Sequence, residues 1–205
     1  MFDRLLLTSQ RRVLQGPARW LSARGVSADS LTLCGFVFGL MASGLLAQQL
    51  YAMALAFIIL NRIFDGLDGA VAHERSPTDR GAFMDIALDF FFYATIPFGF
   101  ALADPAENAL AASALLLAFV GTGSSFLAFS VIAAKRGISS MSFPQKGVYY
   151  LGGLTEGTET FVAFAAMCLW PASFAALAQA FTILALITTA TRWWWGWRIF
   201  SEKKS

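Results

Sequence analysis

The chain has 205 residues, of which 57% are hydrophobic and 14% are charged, and its mean hydropathy is +0.61. It is too apolar for an ordinary soluble domain and long enough for several membrane spans, so we expect one integral membrane domain over residues 1–205. The formal net charge of +2 comes from basic residues that are dispersed among the membrane flanks and not gathered in one patch, so we expect no nucleic-acid partner.

The N-terminal segment, residues 1–25, mixes five arginines with leucine, phenylalanine, valine and tryptophan. This mixture predicts an amphipathic helix on the cytoplasmic membrane surface, interrupted near Gly16 and Pro17. A simple basic flank that orients the first span is the alternative interpretation. A cleaved signal peptide is not expected, because the basic region is long and the apolar stretch after it is long enough to span a membrane.

Six apolar segments follow within residues 30–200, and we expect each to be a transmembrane helix. They run over about 30–47, 51–73, 81–103, 108–134, 156–170 and 173–196. Asp104 and Pro105 separate the third from the fourth, and the polar segment 135–155 is expected to be a cytoplasmic loop. The predicted fold class is therefore all-α, with six transmembrane helices and an N-terminal surface helix.

The distribution of basic residues predicts the orientation of these spans. The 15 Lys and Arg residues fall in the N-terminal segment, around the link between spans 2 and 3, in the loop between spans 4 and 5, or at the C-terminal end. The other three links have none. By the positive-inside rule, both termini and the link between spans 2 and 3 face the cytoplasm, and we expect a protein of the bacterial inner membrane.

Four aspartates lie within or at the edge of the second and third spans. Asp65 and Asp68 are three residues apart and Asp85 and Asp89 are four apart, so each pair lies on one face of a helix. The short polar link from His73 to Arg80 would return the chain antiparallel and bring the two faces together. Isolated carboxylates are costly in apolar segments, and these four therefore predict a functional site.

Carboxylates that converge at low dielectric must share protons or bind cations. Ligation by oxygen alone favours a hard ion such as Mg²⁺, Mn²⁺ or Ca²⁺ over zinc, since no cysteine lies nearby and His73 is the only nitrogen ligand. A cluster of this size can hold two ions, an arrangement that clamps a phosphoryl group during its transfer.

Small residues border both carboxylate faces and complete a longer pattern, Asp65-x-x-Asp68-Gly69-x-x-Ala72 followed by Gly81-x-x-x-Asp85-x-x-x-Asp89. This pattern resembles the signature of the CDP-alcohol phosphotransferase family, integral membrane enzymes that make phospholipids from CDP-linked precursors. The family pattern has an arginine directly after the alanine, where this chain has His73. Arg75 or Arg80 would then substitute in contacting phosphate.

The resemblance implies the reaction and the roles of the motif residues. The reaction is transfer of a phosphatidyl group from CDP-diacylglycerol to a small alcohol, with release of CMP and with Mg²⁺ or Mn²⁺, two ions being expected. The implied metal ligands are Asp65, Asp68 and Asp85, with Asp89 as the base and a further ligand. The CDP moiety would lie against Asp68, Gly69, Ala72 and Gly81. Members of the family often form homodimers, and the sequence itself carries no signal for or against one.

Two groups of polar residues point to different acceptors, so the product stays open. Lys135, Arg136 and Lys146 would suit the phosphate of glycerol phosphate or an inositol phosphate, or would serve only to orient the spans. Glu156 and Glu159, near the start of the fifth span, would suit an amine or hydroxyl groups, or hydrogen-bond structurally.

Three other functions are compatible with the carboxylate pattern. A CDP-choline or CDP-ethanolamine type of enzyme would use diacylglycerol as the acceptor. A catalytically silent relative would bind a CDP-lipid for regulation, a reading motivated by His73. A divalent-cation transporter would show ion flux without nucleotide, although the basic flanks and the glycine spacing argue against it.

Overall fold

The structure is a computed structural model that describes residues 3–138 and 154–201, with side chains from residue 13 onward. These ranges are helical and contain no strand, which confirms the all-α class. The helices are α1 (Asp3–Ala23), α2 (Ala28–Ala47), α3 (Tyr51–Arg75), α4 (Asp79–Ala103), α5 (Pro105–Lys135), α6 (Gly157–Leu169) and α7 (Phe174–Ser201). A 3₁₀ turn, Pro171–Ser173, joins the last two.

Capping side chains set the ends of several helices. The hydroxyl of Ser27 accepts a hydrogen bond from the Ser30 backbone N–H at 3.2 Å and begins α2. Thr78 begins α4 in the same way. Asp104 ends α4 and caps α5, whose first residue is Pro105. The predicted break between the third and fourth spans is therefore confirmed.

Two local predictions were wrong. Helix α1 continues through Gly16 and Pro17 instead of breaking there. Ala18, the next residue, is completely buried in a small core with Leu31 of α2 and Val71 of α3, and this packing outweighs the weak local helix propensity. The polar link between α3 and α4 is also shorter than predicted, because the residues at both of its ends continue the helices and leave only 76–78 between them.

Four segments of the described chain are long and apolar enough to cross a membrane: α2, α4, α5 and Pro171–Ser201. Helix α3 is long enough, but its charged residues make it less apolar. Helix α6 has 13 residues, or roughly 20 Å, which is shorter than the ~30 Å apolar core of a bilayer. By length and composition, the structure thus supports four of the six predicted spans.

The packing order of the helices positions the carboxylates. Helix α2 packs on both α3 and α4, α1 packs on α3, and α5 packs on α4 and α7. The main core is rich in aromatic residues, and the rings of Phe100 and Phe174 stack with their centroids 4.3 Å apart. Beside α2, polar side chains of α3 and α4 meet, as in the hydrogen bond from Arg62 of α3 to Asp89 of α4.

Gly99 permits the closest approach of α4 to α2. A Cβ atom at this position would lie 2.8 Å from the carbonyl oxygen of Ser43. We expect Gly99→Ala to lower the free energy of unfolding by about 1–3 kcal/mol, because the two backbones would have to separate. Thermal unfolding in detergent measures this loss. Gly44→Ala is the control, since its Cβ would meet no atom within 4 Å; equal melting temperatures for the two variants would contradict the close approach.

Candidate active site

A small pocket between α3 and α4 contains all four predicted aspartates. Asp65 and Asp68 reach it from α3, and Asp85 and Asp89 reach it from α4. We call it the carboxylate pocket. The antiparallel return of the chain after α3 thus brings the two carboxylate faces together, as the residue spacing predicts.

Arg62 lies among these carboxylates. Its guanidinium donates from Nη2 to Oδ1 of Asp89 at 2.7 Å, and its Nη1 lies 3.5 Å from Oδ2 of Asp65. Nε donates to the Asn61 side-chain oxygen at 2.8 Å, and the guanidinium carbon lies 4.5 Å from the centroid of the Phe92 ring. Arg62 lies well inside α3 and not in the basic flank of the link, where the charge distribution alone would place it. Its position in an apolar segment, three residues before Asp65, was the signal that could have identified it.

Helix α2 supplies a further wall of the pocket. The hydroxyl of Thr32 donates to Oδ2 of Asp68 at 2.6 Å, and Asp68 is only 5% exposed. Asn61 donates to the carbonyl oxygen of Gly35 at 2.8 Å, which ties α3 to α2 beside the carboxylates. Sequence reasoning did not identify Thr32 or Asn61, because their partners lie far away in the chain.

The donor atoms of the pocket suit a hard divalent cation, since all four aspartates offer oxygen ligands. Within residues 13–138 and 154–201, however, no three Asp, Glu, His or Cys side chains are arranged to hold one ion. Arg62 pairs with Asp65 and Asp89 and supplies positive charge to the pocket. The residues therefore fit such an ion by type and location, and in this arrangement the single positive charge of Arg62 offsets part of the negative charge of Asp65 and Asp89.

A polar cavity of about 390 Å³ adjoins the carboxylate pocket on the side of the α3–α4 link. Thr32, Asp68 and Asp85 line both spaces. The residues that line only the polar cavity include the small members of the motif and several polar side chains: Ser27, Asp29, Gly69, Ala72, Arg75, Thr78, Arg80 and Gly81. A Cβ at Gly69 would meet nothing within 4 Å, whereas a Cβ at Gly81 would lie 3.1 Å from the Thr78 hydroxyl.

Arg75 and Arg80, the candidate phosphate contacts, both line this polar cavity, and each bonds to a neighbouring helix. Arg75 donates from Nε to the Ser22 hydroxyl at 2.9 Å and also bonds the Ser22 carbonyl. Arg80 pairs with Asp29 of α2. His73 is exposed in the last turn of α3 and does not line the polar cavity. It therefore belongs to the helix and not to the polar link that the sequence predicts from His73 onward.

A third space, the apolar cavity, lies on the other side of Asp89 and measures about 1100 Å³. Its walls come mostly from apolar residues of α4 and α5. One end is polar and carries Thr122, Thr155, Glu156, Thr160 and Arg192. Of the four aspartates, only Asp89 borders both this cavity and the carboxylate pocket.

The predicted acceptor residues do not lie together. Glu156 lines the apolar cavity, whereas Glu159 does not and instead forms a reciprocal capping box with Glu156 at the start of α6. Arg136 donates to the carbonyl oxygens of Ile199 and Phe200 near the end of α7, at 3.3 and 2.6 Å. These bonds show that Arg136 has a structural role.

Lys135 is the last residue of α5 and lines none of the three cavities, and Lys146 lies outside the described residues. Arg192 lies inside α7 and not in the basic C-terminal end, where the charge distribution alone would place it. It donates from Nη1 to the carbonyl oxygen of Thr122 at 3.0 Å. As with Arg62, its position within an apolar segment was the available signal.

Comparison with known proteins agrees with this geometry. Residues 26–195 match the CDP-alcohol phosphatidyltransferase family. The inner membrane protein YnjF of Escherichia coli K12 is 52% identical over 197 residues, which cover 96% of each chain. An archaetidylinositol phosphate synthase from Pyrococcus horikoshii is 30% identical over 93 residues, or 45% of this chain and 50% of that relative.

A solved structure shares the fold. The crystal structure of Mycobacterium tuberculosis phosphatidylinositol phosphate synthase (PgsA1), with CDP-DAG bound, gives a TM-score of 0.66 at 20% identity. The alignment covers 91% of this chain and 94% of that chain. The family match also includes every residue that lines the three cavities. The chain therefore belongs to the CDP-alcohol phosphatidyltransferase family, and it is a transferase of substituted phosphate groups.

Proposed function

We propose that this protein transfers a phosphatidyl group from CDP-diacylglycerol to a small alcohol and releases CMP, in the synthesis of phospholipids. The observation that carries the proposal is the order of the three cavities. Asp68 and Asp85 join the polar cavity to the carboxylate pocket, and Asp89 joins that pocket to the apolar cavity. This order matches a substrate that has a polar nucleotide, a pyrophosphate and two acyl chains. The CDP-DAG in the M. tuberculosis structure supports the same substrate.

The polar cavity is the proposed site of the CDP moiety. Gly69 faces open space there, so its backbone is accessible to a ligand. Arg75 and Arg80 bring positive charge to the same cavity, and we propose that they take over the phosphate contact of the arginine that His73 replaces. Their partners in α1 and α2 limit their conformational freedom, which lowers the entropy lost when a phosphate binds.

The carboxylate pocket is the proposed site of divalent metal ions, and the family uses such ions in catalysis. Asp65, Asp68 and Asp85 are the proposed ligands of Mg²⁺ or Mn²⁺, with Asp89 as a further ligand and two ions as the expected number. When bound, the ions would neutralise the pyrophosphate and stabilise CMP as the leaving group.

Asp89 is the proposed general base. The acceptor oxygen attacks the phosphatidyl phosphorus, the bond from that phosphorus to the CMP oxygen breaks, and the acceptor hydroxyl proton passes to Asp89. Asp89 suits this role because, of the four aspartates, only Asp89 also borders the apolar cavity, whose polar end an acceptor would enter. Arg62 holds one oxygen of the carboxylate at 2.7 Å and so orients the other.

The proposed setting is a six-span domain over residues 1–205 in the inner membrane, with α1 on its cytoplasmic surface and both termini cytoplasmic. The inner-membrane relative and the four apolar segments support the location. Arg62 and Arg192 lie within helices and bond to internal polar groups, so they are not counted in the positive-inside rule. The remaining basic residues, in the flanks and links, support the cytoplasmic orientation. A homodimer is the assembly that the family resemblance implies.

The test of the proposed function is CMP release by purified protein in liposomes that contain CDP-diacylglycerol and Mg²⁺ or Mn²⁺, with and without chelator. Release that needs both metal and an added alcohol is the expected result. Release only with CDP-choline or CDP-ethanolamine and diacylglycerol would reverse the assignment of donor and acceptor. Nucleotide binding without any release would indicate a silent relative, and ion flux without nucleotide would indicate a transporter.

Substitution of Gly69 should weaken binding of the nucleotide. We expect Gly69→Leu to raise the KM for CDP-diacylglycerol by about tenfold, equivalent to about 1.4 kcal/mol, because the new side chain would occupy the polar cavity. Gly44→Leu is the control, since Gly44 also faces open space but lies outside all three cavities. Steady-state kinetics and the thermal shift caused by CDP-diacylglycerol measure the effect. An unchanged KM in Gly69→Leu would place the nucleotide elsewhere.

A further inference from the structure

The polar end of the apolar cavity contains a cation and an anion that interact. Arg192 of α7 and Glu156 at the start of α6 both line this end, and they attract each other electrostatically. Thr155 and Thr160 line the same end and are almost completely buried, at 9% and 5% exposed. Asp89, the proposed base, lines the cavity as well.

Arg192 is held in place by the neighbouring helix. Its Nη1 donates to the carbonyl oxygen of Thr122 in α5 at 3.0 Å, and its guanidinium carbon lies 5.9 Å from the centroid of the Phe126 ring. Glu156 is likewise held, because its carboxylate accepts the backbone N–H of Glu159 in the capping box. The two opposite charges are therefore preorganised at the cavity wall, a condition that favours selective binding.

The charge balance of this cavity does not suit a phosphate group. Among its described lining residues, Arg192 is the only cation, whereas Asp89 and Glu156 are both acidic. A phosphomonoester carries about −1.5 to −2 charges at neutral pH. One guanidinium that already faces Glu156 cannot balance that charge, and the Glu156 carboxylate would repel the phosphate; Asp89 is itself paired with Arg62. Arg136, the other described candidate cation, does not line this cavity and is bonded to the end of α7.

We propose that this polar end binds a small hydroxyl compound that has no net charge and no phosphate group, either a neutral polyol or a zwitterionic hydroxy amino acid. Glu156 and Arg192 are the specificity-determining pair. Arg192 donates to an acceptor oxygen or carboxylate, Glu156 accepts from a hydroxyl or ammonium group, and the reacting hydroxyl points towards Asp89. This inference rests on the proposed function, of which it names the acceptor class.

The reciprocal capping box supplies a matched pair of variants. Glutamine in place of either glutamate keeps an oxygen that can accept the capping hydrogen bond, and removes one negative charge. Glu156→Gln removes that charge from the cavity, whereas Glu159→Gln removes it from a residue that does not line the cavity. A loss of the cap alone would therefore affect both variants, and only a role in acceptor binding would separate them.

The experiment measures CMP release from CDP-diacylglycerol by the full chain in liposomes, with acceptors in pairs that differ by one phosphate: glycerol and glycerol 3-phosphate, inositol and inositol 1-phosphate, serine and phosphoserine. We expect kcat/KM for the neutral member of the active pair to exceed that of its phosphorylated partner by at least about tenfold. Glu156→Gln should reduce this preference by about tenfold, mostly through the KM of the acceptor, and Glu156→Arg should favour the phosphorylated member. Glu159→Gln should leave the preference unchanged.

A preference of the unmodified protein for a phosphorylated acceptor would overturn the inference and leave the proposed function intact. An unchanged preference in Glu156→Gln would overturn the role of the pair. No CMP release with any acceptor of either kind would overturn the proposed function and this inference together. Thermal unfolding of each variant identifies any folding defect. Glu156→Asp keeps the negative charge and should therefore retain the preference for the neutral acceptor, which shows that the loss in Glu156→Gln comes from the charge.

Discussion

Asp89→Asn should lower CMP release by about 10²–10⁴-fold, the range that general base catalysis contributes. An amide cannot take the acceptor proton, although it has almost the same shape as the carboxylate. The CDP moiety of CDP-diacylglycerol should still bind, because Asp89 does not line the polar cavity in which that moiety is proposed to lie. The measurement is the initial rate of CMP release at saturating acceptor, together with the thermal shift that CDP-diacylglycerol produces.

Asp79→Asn is the matched control for this experiment. Asp79 lies in the first turn of the same helix, is exposed and lines none of the three cavities. We expect its activity to stay within about twofold of the unmodified protein, as for most surface substitutions. Retained activity in Asp89→Asn would contradict the role of Asp89 as the base, and loss of CDP-diacylglycerol binding would indicate that it serves the donor instead.

Arg62→Gln should destabilise the fold as well as lower activity. Arg62 is 18% exposed and Asp89 is 29% exposed, so the change leaves a largely buried carboxylate without its ion pair. Removing one partner of a fully buried pair costs about 3–5 kcal/mol, and the partial exposure here reduces the expected loss to about 2–4 kcal/mol. CMP release should also fall by about tenfold or more, because the Asp89 carboxylate loses the hydrogen bond that orients it.

Thermal unfolding in detergent measures the loss of folding stability in Arg62→Gln. A chelator is added because divalent ions would replace part of the lost positive charge. The melting temperature of Arg62→Lys should fall between those of Arg62→Gln and the unmodified protein. An ammonium keeps the charge but lacks the separate nitrogens with which the guanidinium reaches Asp89 and Asn61. Arg198→Gln is the control, because Arg198 is exposed and contacts Trp194. A melting temperature of Arg62→Gln equal to that of the control would show that the ion pair does not stabilise the fold.

The local pattern of the sequence was sufficient for the fold class and for the four aspartates. Spacings of three and four residues place Asp65 with Asp68, and Asp85 with Asp89, on single helix faces because an α-helix has 3.6 residues per turn. A short link then requires the two helices to run antiparallel, and in the structure both pack on α2. The same spacing, with Gly69 and Gly81, carried the family resemblance that the comparisons confirm. These features depend on neighbours in sequence, so the sequence alone determined them.

The partners of those aspartates were decided only by the tertiary structure. Arg62 meets Asp89 across 27 positions of the chain, and Thr32 meets Asp68 across 36. Such contacts depend on how the helices pack, and no local spacing encodes them. For the same reason, the sequence offers Arg136 as an acceptor contact or as a residue that orients the spans, and does not indicate its bonds to the end of α7, 63 and 64 positions away.

Packing also decided the features for which local helix propensity gave the wrong prediction. Proline and glycine predict a break in α1, but burial of Ala18 against α2 and α3 stabilises the continuous helix. The division into three cavities, and the meeting of Glu156 with Arg192 in one of them, arises where α4, α5, α6 and α7 come together. The sequence by itself determined which residues are expensive to bury in a membrane and how they repeat along each helix. The tertiary structure decided which of them face one another, because that depends on the distances between helices.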